Sequence, residues 1–312
     1  METRYTAKDF AAGRVNDWCA SCGDFGILRA IQRALAALSL APHQVAVFGG
    51  IGCSGKTPYY LGCNGVHTLH GRVLSFASGA KLAEPTLTVI AVGGDGDGLS
   101  IGAGHFVNTG RRNIDLTYIL FNNGVYGLTK GQASPTLRRG EQTRRMSQPA
   151  ADAAVNPLSL ALVSGYTWIG RGYAYDVATL SELLTQAISH PGMSLLEVLQ
   201  PCPTYNDLHT KAWYEGEDAV ERQPRLYTLD DRLDELTVQR GESSESRQAV
   251  LLKAHKLALE WGNRIPTGII FRDLTDPVAA QRVTGTAERC PAGWQRLLSQ
   301  HAVVPADESD LA

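Results

Sequence analysis

The chain has no surplus of either charge: 29 Lys and Arg stand against 31 Asp and Glu, a formal net charge of −2 over 312 residues. Such balance argues against a broad electrostatic footprint on nucleic acid or an anionic membrane. Aromatic residues are scarce, at 7%. No apolar run reaches membrane-spanning length, and the stretch 153–170 is broken by Asn156, Pro157 and Gly165. The N-terminal METRYTAKDFAAGRVNDW lacks the apolar centre of an export signal, so a cytoplasmic protein is expected. A second C-x-x-C is missing, as is any H-x-x-x-H, which removes a common zinc-finger arrangement. Six cysteines in a chain of this length do not read as a disulfide framework. In a reducing compartment they read as buried thiols, metal ligands or redox centres.

What the chain does have is apolar material and glycine. Hydrophobic residues make up 44% and charged residues 19%, which excludes global disorder. Of the 32 glycines, 18 fall within residues 49–131, a density that suggests close backbone approaches such as phosphate-binding turns. Residues 45–48, 87–92, 116–121, 166–170 and 195–199 are short aliphatic runs without strict alternation, so each predicts a strand buried on both faces. Helical patterns cover 26–38, 100–109 and 176–189. Alternation of this kind predicts an α/β fold, a parallel sheet with helices on both faces, whose ligands sit at the carboxyl ends of the strands. Residues 205–250 differ, with 11 acidic and 6 basic side chains among 46. They read as an exposed polar excursion, followed by an amphipathic helix over 249–262 and a strand over 268–271. The expected division is a cofactor-binding α/β domain over 1–204 and an irregular C-terminal extension over 205–312, packed on the core or on a partner. The tail past Pro291 reads as loosely held.

The string Gly50-Ile51-Gly52-Cys53-Ser54-Gly55-Lys56-Thr57 fits both G-x-x-x-x-G-K-T and G-x-G-x-x-G. Each pattern needs a helix to begin at once, because the helix N-terminus holds the phosphate. Pro58, Gly62, Asn64 and Gly65 follow instead, and the first carboxylate after Gly55 is Glu84, too distant for a dinucleotide fingerprint. The string reads as a glycine-rich turn that brings backbone close to a ligand. Trp18-Cys19-Ala20-Ser21-Cys22-Gly23 holds a C-x-x-C compatible with a zinc knuckle, a redox pair or an iron–sulfur site. Cys53 and Cys202 sit in turns rich in glycine or proline, whereas Cys63 and Cys290 lack a partner pattern and read as ordinary thiols.

Gly94-Asp95-Gly96-Asp97 ends one predicted strand and Asn122-Asn123-Gly124 the next, with Asp95 and Asn123 separated by 28 positions. This G-D-G…N spacing is the signature of thiamine-diphosphate enzymes. A hard Mg²⁺ takes oxygen ligands and binds a diphosphate through one or two protein groups. Asp95 offers a carboxylate and Asn123 an amide oxygen from adjacent strand ends. His67 and His70, three apart, read as hydrogen-bond donors near such a diphosphate.

The blocks WCASCGDFGIL, GGIGCSGK, GVHTLHGR, GGDGDGLSIGAGHF, NNGVYGLTKGQASPT and QPCPTYND occur in this order between about Asn16 and Phe271. Together they resemble the β subunits of 2-oxoacid:ferredoxin oxidoreductases. The resemblance implies that Cys19, Cys22, Cys53 and Cys202 ligate one 4Fe–4S cluster, and that Asp95, Asn123 and the carbonyl of Val125 bind Mg²⁺. It implies that Ile51, Gly52, Cys53, Ser54, His67, Thr68, Leu69, His70, Gly96, Asp97, Gly127 and Leu128 contact thiamine diphosphate. Lys56, Leu128 and Lys130 match positions near the substrate pocket. For the fourth thiolate, Cys202 follows the strand 195–199, and a parallel sheet returns it to the edge that carries Cys53. The implied reaction is decarboxylation of a 2-oxoacid, with coenzyme A taking the acyl group and electrons leaving through the cluster to ferredoxin. 2-Oxoglutarate is the expected acid and pyruvate the alternative. The implied partner is an α (or αγ) chain of a heterodimer, which supplies the glutamate that assists the cofactor. A P-loop hydrolase and a zinc-bound assembly subunit are the competing classes.

Overall fold

The computed structural model describes residues 5–218 and 222–275. Cys290 and the tail past Pro291 lie outside the described residues.

Helix α1 (Asp24–Ala37) buries Ile27, Ile31, Ala34 and Leu35, which recur at helical spacing. Strand β1 (Val45–Gly49) is buried along its whole length. A 3₁₀ stretch, Ser54–Tyr60, follows, and it contains Pro58. The chain therefore turns helically after Cys53, but it forms no α-helix of the kind that a P-loop needs. The edge strand β2 (Asn64–His67) and α2 (Val73–Ala83) come next. Strand β3 (Thr88–Gly94) runs directly into the short α3 (Asp95–Leu99) and then α4 (Ala103–Arg112). Strand β4 (Leu116–Asn122) leads to a small hairpin of β5 (Val125–Tyr126) and β6 (Gln132–Ala133). After α5 (Pro157–Ser164) come β7 (Trp168–Tyr173), α6 (Val177–Ser189) and β8 (Met193–Leu199). The remainder holds α7 (Lys211–Tyr214), β9 (Leu226–Thr228), β10 (Thr237–Val238), α8 (Ser244–Leu259) and β11 (Ile265–Asp273).

Nine strands form one sheet in the order β10-β11-β7-β8-β4-β3-β1-β2, with β9 also pairing with β11. From β7 to β2 every neighbour is parallel. Successive side chains point to opposite faces, and both faces are apolar. Val45, Val47, Ile90, Val92, Ile119 and Val198 pack with α1 and α6. Ala46, Phe48, Ala91, Tyr118, Leu120 and Leu195 pack with residues of α2, α4, α5 and α8. This is the expected parallel sheet between two helical layers.

The described part of the extension is more regular than its charge suggests. Helix α8 starts at Ser244, ahead of the expected 249, because the Ser243 hydroxyl caps it by accepting from the Ser246 N–H at 3.2 Å. Strand β11 reaches from Ile265 to Asp273 and joins the main sheet antiparallel to β7. Among the described residues no helix is long and apolar enough to cross a membrane.

Candidate cofactor pocket and thiol group

The carboxyl ends of β1, β3 and β4 meet around a cavity of about 330 Å³. Its walls are the turn Ile51–Ser54 after β1, the Gly94–Asp97 corner between β3 and α3, and the segment from Asn123 through Val125 to Thr129 after β4. His70 closes one side, and Asp24 and Gln200 close another. Of the residues expected at a cofactor, Ile51, Gly52, Cys53, Ser54, His70, Gly96, Asp97, Gly127 and Leu128 therefore stand on this cavity, together with Asp95, Asn123 and Val125.

Others stand outside its lining. His67 pairs through Nδ1 with the Tyr59 hydroxyl on the exposed β2 edge. The Thr68 hydroxyl donates to the Gly49 carbonyl at 2.9 Å and pins the end of β1, while Leu69 is exposed. Lys56 donates to Asp17 Oδ2 at 2.7 Å. Lys130 is exposed on the β5–β6 hairpin in the left-handed region, at φ +80°. Asp24, Phe121, Tyr126, Thr129 and Gln200 line the cavity without having been singled out from the sequence. Asp24 and Gln200 do sit in the conspicuous strings CGD and QPCP, beside cysteines.

Two carboxylates organise the floor. Asp97 Oδ1 accepts from the N–H of Ile51 at 3.0 Å and of Gly71 at 2.8 Å, and His70 Nδ1 lies 3.0 Å from the same oxygen. Burial nevertheless pushes the Asp97 carboxyl above its ordinary value. Gly50 is obligatory here, since a Cβ would lie 1.9 Å from Asp97 Oδ2. At Gly96 a Cβ would lie 2.3 Å from the Tyr126 ring. Asp95 is 1% exposed, and its Oδ2 accepts from the Gly124 N–H at 3.2 Å and from the hydroxyls of Ser134 and Thr136. Burial pushes its carboxyl up as well, and among the described residues no lysine or arginine pairs with it. A buried carboxylate without a counter-cation, on the wall of the same cavity as an amide oxygen, is a donor set that suits a hard divalent ion. Asn123 is held in place: its Nδ2 donates to Gln200 Oε1 at 2.8 Å, and its Oδ1 accepts from the Val125 N–H at 3.0 Å.

Beside the cavity lie four free thiols. The Trp18 indole N–H donates to the Cys53 carbonyl at 2.8 Å, the Gly23 N–H to the Pro201 carbonyl at 3.4 Å, and Gln200 Nε2 to Cys22 Sγ at 3.2 Å. These bonds bring the segments of Cys19, Cys22, Cys53 and Cys202 together. Burial pushes the Cys22 thiol up, and the charges of Asp24, Cys202 and Cys53 add to it. Cys53 rises to about 12 through burial, Asp24 and Cys202, with Cys19 also contributing. Burial raises Cys202 too, but the backbone N–H groups of Tyr205 and Thr204 favour its thiolate. Cys63 rises to about 12 by burial alone, with no thiol acting on it. Asp24 is 1% exposed, and burial pushes its carboxyl up to about 7. Among the described residues no three His, Cys, Asp or Glu side chains close on a single ion. Four neighbouring sulfur donors that oppose one another's ionisation suit an iron–sulfur cube, which spreads its thiolates over four iron corners and supplies compensating positive charge.

The family described as "Thiamine pyrophosphate enzyme, C-terminal TPP binding domain" matches residues 44–198, and the family for the C-terminal part of the pyruvate ferredoxin oxidoreductase beta subunit matches residues 202–288. The chain is 50% identical to the 2-oxoacid:ferredoxin oxidoreductase subunit beta of Saccharolobus solfataricus over 281 residues, covering 89% of this chain and 87% of that protein. It is 45% identical over 200 residues to the 2-oxoglutarate oxidoreductase subunit KorB of Mycobacterium tuberculosis, covering 64% of this chain and 54% of that protein. Among solved structures, a 2-oxoglutarate:ferredoxin oxidoreductase from Magnetococcus marinus with 2-oxoglutarate, coenzyme A and succinyl-CoA bound is similar, with a TM-score of 0.80 and 31% identity, over 95% of this chain and 96% of that one.

Proposed function

The chain belongs to the β subunits of the 2-oxoacid:ferredoxin oxidoreductases, and from that premise we propose that it binds thiamine diphosphate, Mg²⁺ and one 4Fe–4S cluster and works on 2-oxoglutarate with coenzyme A. Bound together, these groups supply a nucleophilic carbon with its electron sink, charge compensation for the diphosphate, and a one-electron acceptor. Asp95, Asn123 and the Val125 carbonyl are assigned to the metal, and Cys19, Cys22, Cys53 and Cys202 to the cluster. The Ile51–Ser54 turn and the Gly96–Asp97 corner present backbone to the diphosphate, and Asp97 holds the Ile51 and Gly71 amides in place for it. The β5–β6 hairpin carries Leu128 on the cavity wall and the exposed Lys130 two residues on, which is assigned to a substrate carboxylate.

The observation that carries this reading is a shared wall. Cys53 lines the cavity and belongs to the thiol group, and its Sγ lies 3.4 Å from where a Gly127 Cβ would stand. Decarboxylation chemistry and electron removal would then be neighbours, as their coupling requires. For the acid, support comes from the Magnetococcus marinus and Mycobacterium tuberculosis proteins, both named for 2-oxoglutarate. The chain belongs to an enzyme with more than one kind of subunit, so the test uses the complex co-expressed with its α partner and purified without oxygen. Expected are four irons and one thiamine diphosphate per β chain. Reduction of ferredoxin should depend on coenzyme A and run faster with 2-oxoglutarate than with pyruvate. Faster turnover of pyruvate would overturn the substrate assignment, and absence of iron the cluster assignment.

A further inference from the structure

One buried side chain touches both the candidate metal loop and the candidate cluster. Gln200 is 1% exposed, follows β8 directly and lines the cofactor cavity. Its Nε2 donates to the Pro201 carbonyl at 3.1 Å and to Cys22 Sγ at 3.2 Å, while its Oε1 accepts from Asn123 Nδ2 at 2.8 Å. The orientation is forced. A carbonyl can only accept, so the Pro201 oxygen requires the nitrogen end of Gln200. The oxygen end must then face Asn123 and take the donor of that amide. Asn123 is left presenting Oδ1, where the Val125 N–H uses one lone pair and, among the described residues, no other donor takes the second. Space for this side chain comes from Gly23, where a Cβ would lie 2.9 Å from Gln200 Cγ.

We infer that Gln200 is a positioning residue that couples the two sites. It sets which end of Asn123 faces the metal, and it donates an N–H to the Cys22 sulfur of the cluster. The inference rests on the metal and cluster assignments proposed above. A donor on a cluster thiolate favours the reduced cluster, whose sulfurs carry more negative charge. Loss of Gln200 should therefore act twice, loosening Mg²⁺ and cofactor while making the cluster harder to reduce. A residue that merely fills space would do neither while the iron stays in place.

The test compares the wild-type complex with Gln200→Met, a substitution of similar length that has no amide. Iron per β chain is measured first. Thiamine-diphosphate binding in Mg²⁺ is then titrated, and the cluster potential is read by electron paramagnetic resonance. Expected are full iron, cofactor binding about tenfold weaker, and a potential lower by about 59 mV, the equivalent of a tenfold change for one electron. Unchanged affinity and potential at full iron overturn the inference, as does an unchanged potential alone. Should Gln200→Met not hold iron, the wild-type complex labelled with glutamine carrying ¹⁵N in its side-chain amide decides the matter. A hyperfine coupling between the reduced cluster and a side-chain amide nitrogen supports the bond to Cys22, and its absence overturns it. A wild-type complex without iron overturns the cluster assignment instead, so the two failures are distinguishable.

Discussion

At the scale of single residues, the cysteines divide by environment. Cys22 and Cys202 are both 8% exposed, but the backbone N–H groups of Thr204 and Tyr205 aim at the Cys202 sulfur, an arrangement that suits a thiolate. Cys63 has no such donors among the causes of its shift and is held as a small hydrophobe against the α1 side of the core. Cys202→Ser should therefore strip iron from the complex and abolish ferredoxin reduction, while Cys63→Ser keeps near-normal iron. Anaerobic iron and sulfide analysis decides between them. Lys130 poses a different question, because it is exposed on the β5–β6 hairpin outside the cavity lining. If its ammonium meets the distal carboxylate of 2-oxoglutarate, Lys130→Ala should lower kcat/KM for that acid about ten- to a hundredfold more than for pyruvate, the worth of a charge-assisted hydrogen bond. Equal losses would move Lys130 to the carboxylate that both acids share.

At the scale of elements, the sheet carries polar ties between strands that the apolar pattern conceals. Arg171 on β7 and Glu197 on β8 are register partners, 2.7 Å apart and both almost wholly buried. Asn122 on β4 donates to the other Glu197 oxygen at 2.7 Å. Removing one member strands a buried charge, so Glu197→Leu should cost about 3–5 kcal/mol, whereas Arg171→Met with Glu197→Leu should recover most of the loss. Chemical denaturation of the three proteins measures it. At the far end of β7, His190 Nε2 lies 2.9 Å from the Thr167 hydroxyl, which donates to Asn113 Oδ1. Burial pushes the imidazole down to about 4. The unfolded chain binds a proton there below about pH 6.5, and the folded chain refuses it until about pH 4. Stability should thus fall as the pH drops through that window, by up to about 3 kcal/mol. Melting curves at pH 7 and pH 4.5 should show a steeper loss for the wild type than for His190→Gln.

At the scale of the whole molecule, three exposed apolar side chains stand on or beside the candidate cofactor cavity. Leu69, Ile101 and Leu128 are all more than half or half exposed, at 66%, 53% and 50%. Ile101 packs against Gly71, next to His70 on the cavity wall. Exposed apolar side chains beside a cofactor mouth are what a subunit leaves uncovered when it is drawn apart from its partner. Leu69→Glu should reduce recovery of the α chain in co-purification while leaving the iron content of the β chain intact. Equal recovery of the α chain would place the interface elsewhere.

The sequence by itself determined the layered α/β architecture and the carboxyl-edge location of the candidate site, where Asp95 and Asn123 line one cavity. Each of these is written locally: apolar runs without alternation mark strands buried on both faces, and short motifs at strand ends share an edge in any parallel sheet. It was less legible where local signals are weak. The edge strand Asn64–His67 is exposed along its length, so it lacks the buried, apolar run that marks a strand. Only the tertiary structure decided that β11 closes beside β7 in the opposite direction, that Lys56 turns to Asp17, and that Asp24 and Gln200 stand between thiols and cavity. Gln200 and Cys22 are 178 positions apart, and their contact exists because strand order sets the end of β8 beside the start of α1. Periodicity along a chain records which face of an element is buried. It carries no record of which distant element covers that face, and the neighbours of a site are chosen by that packing.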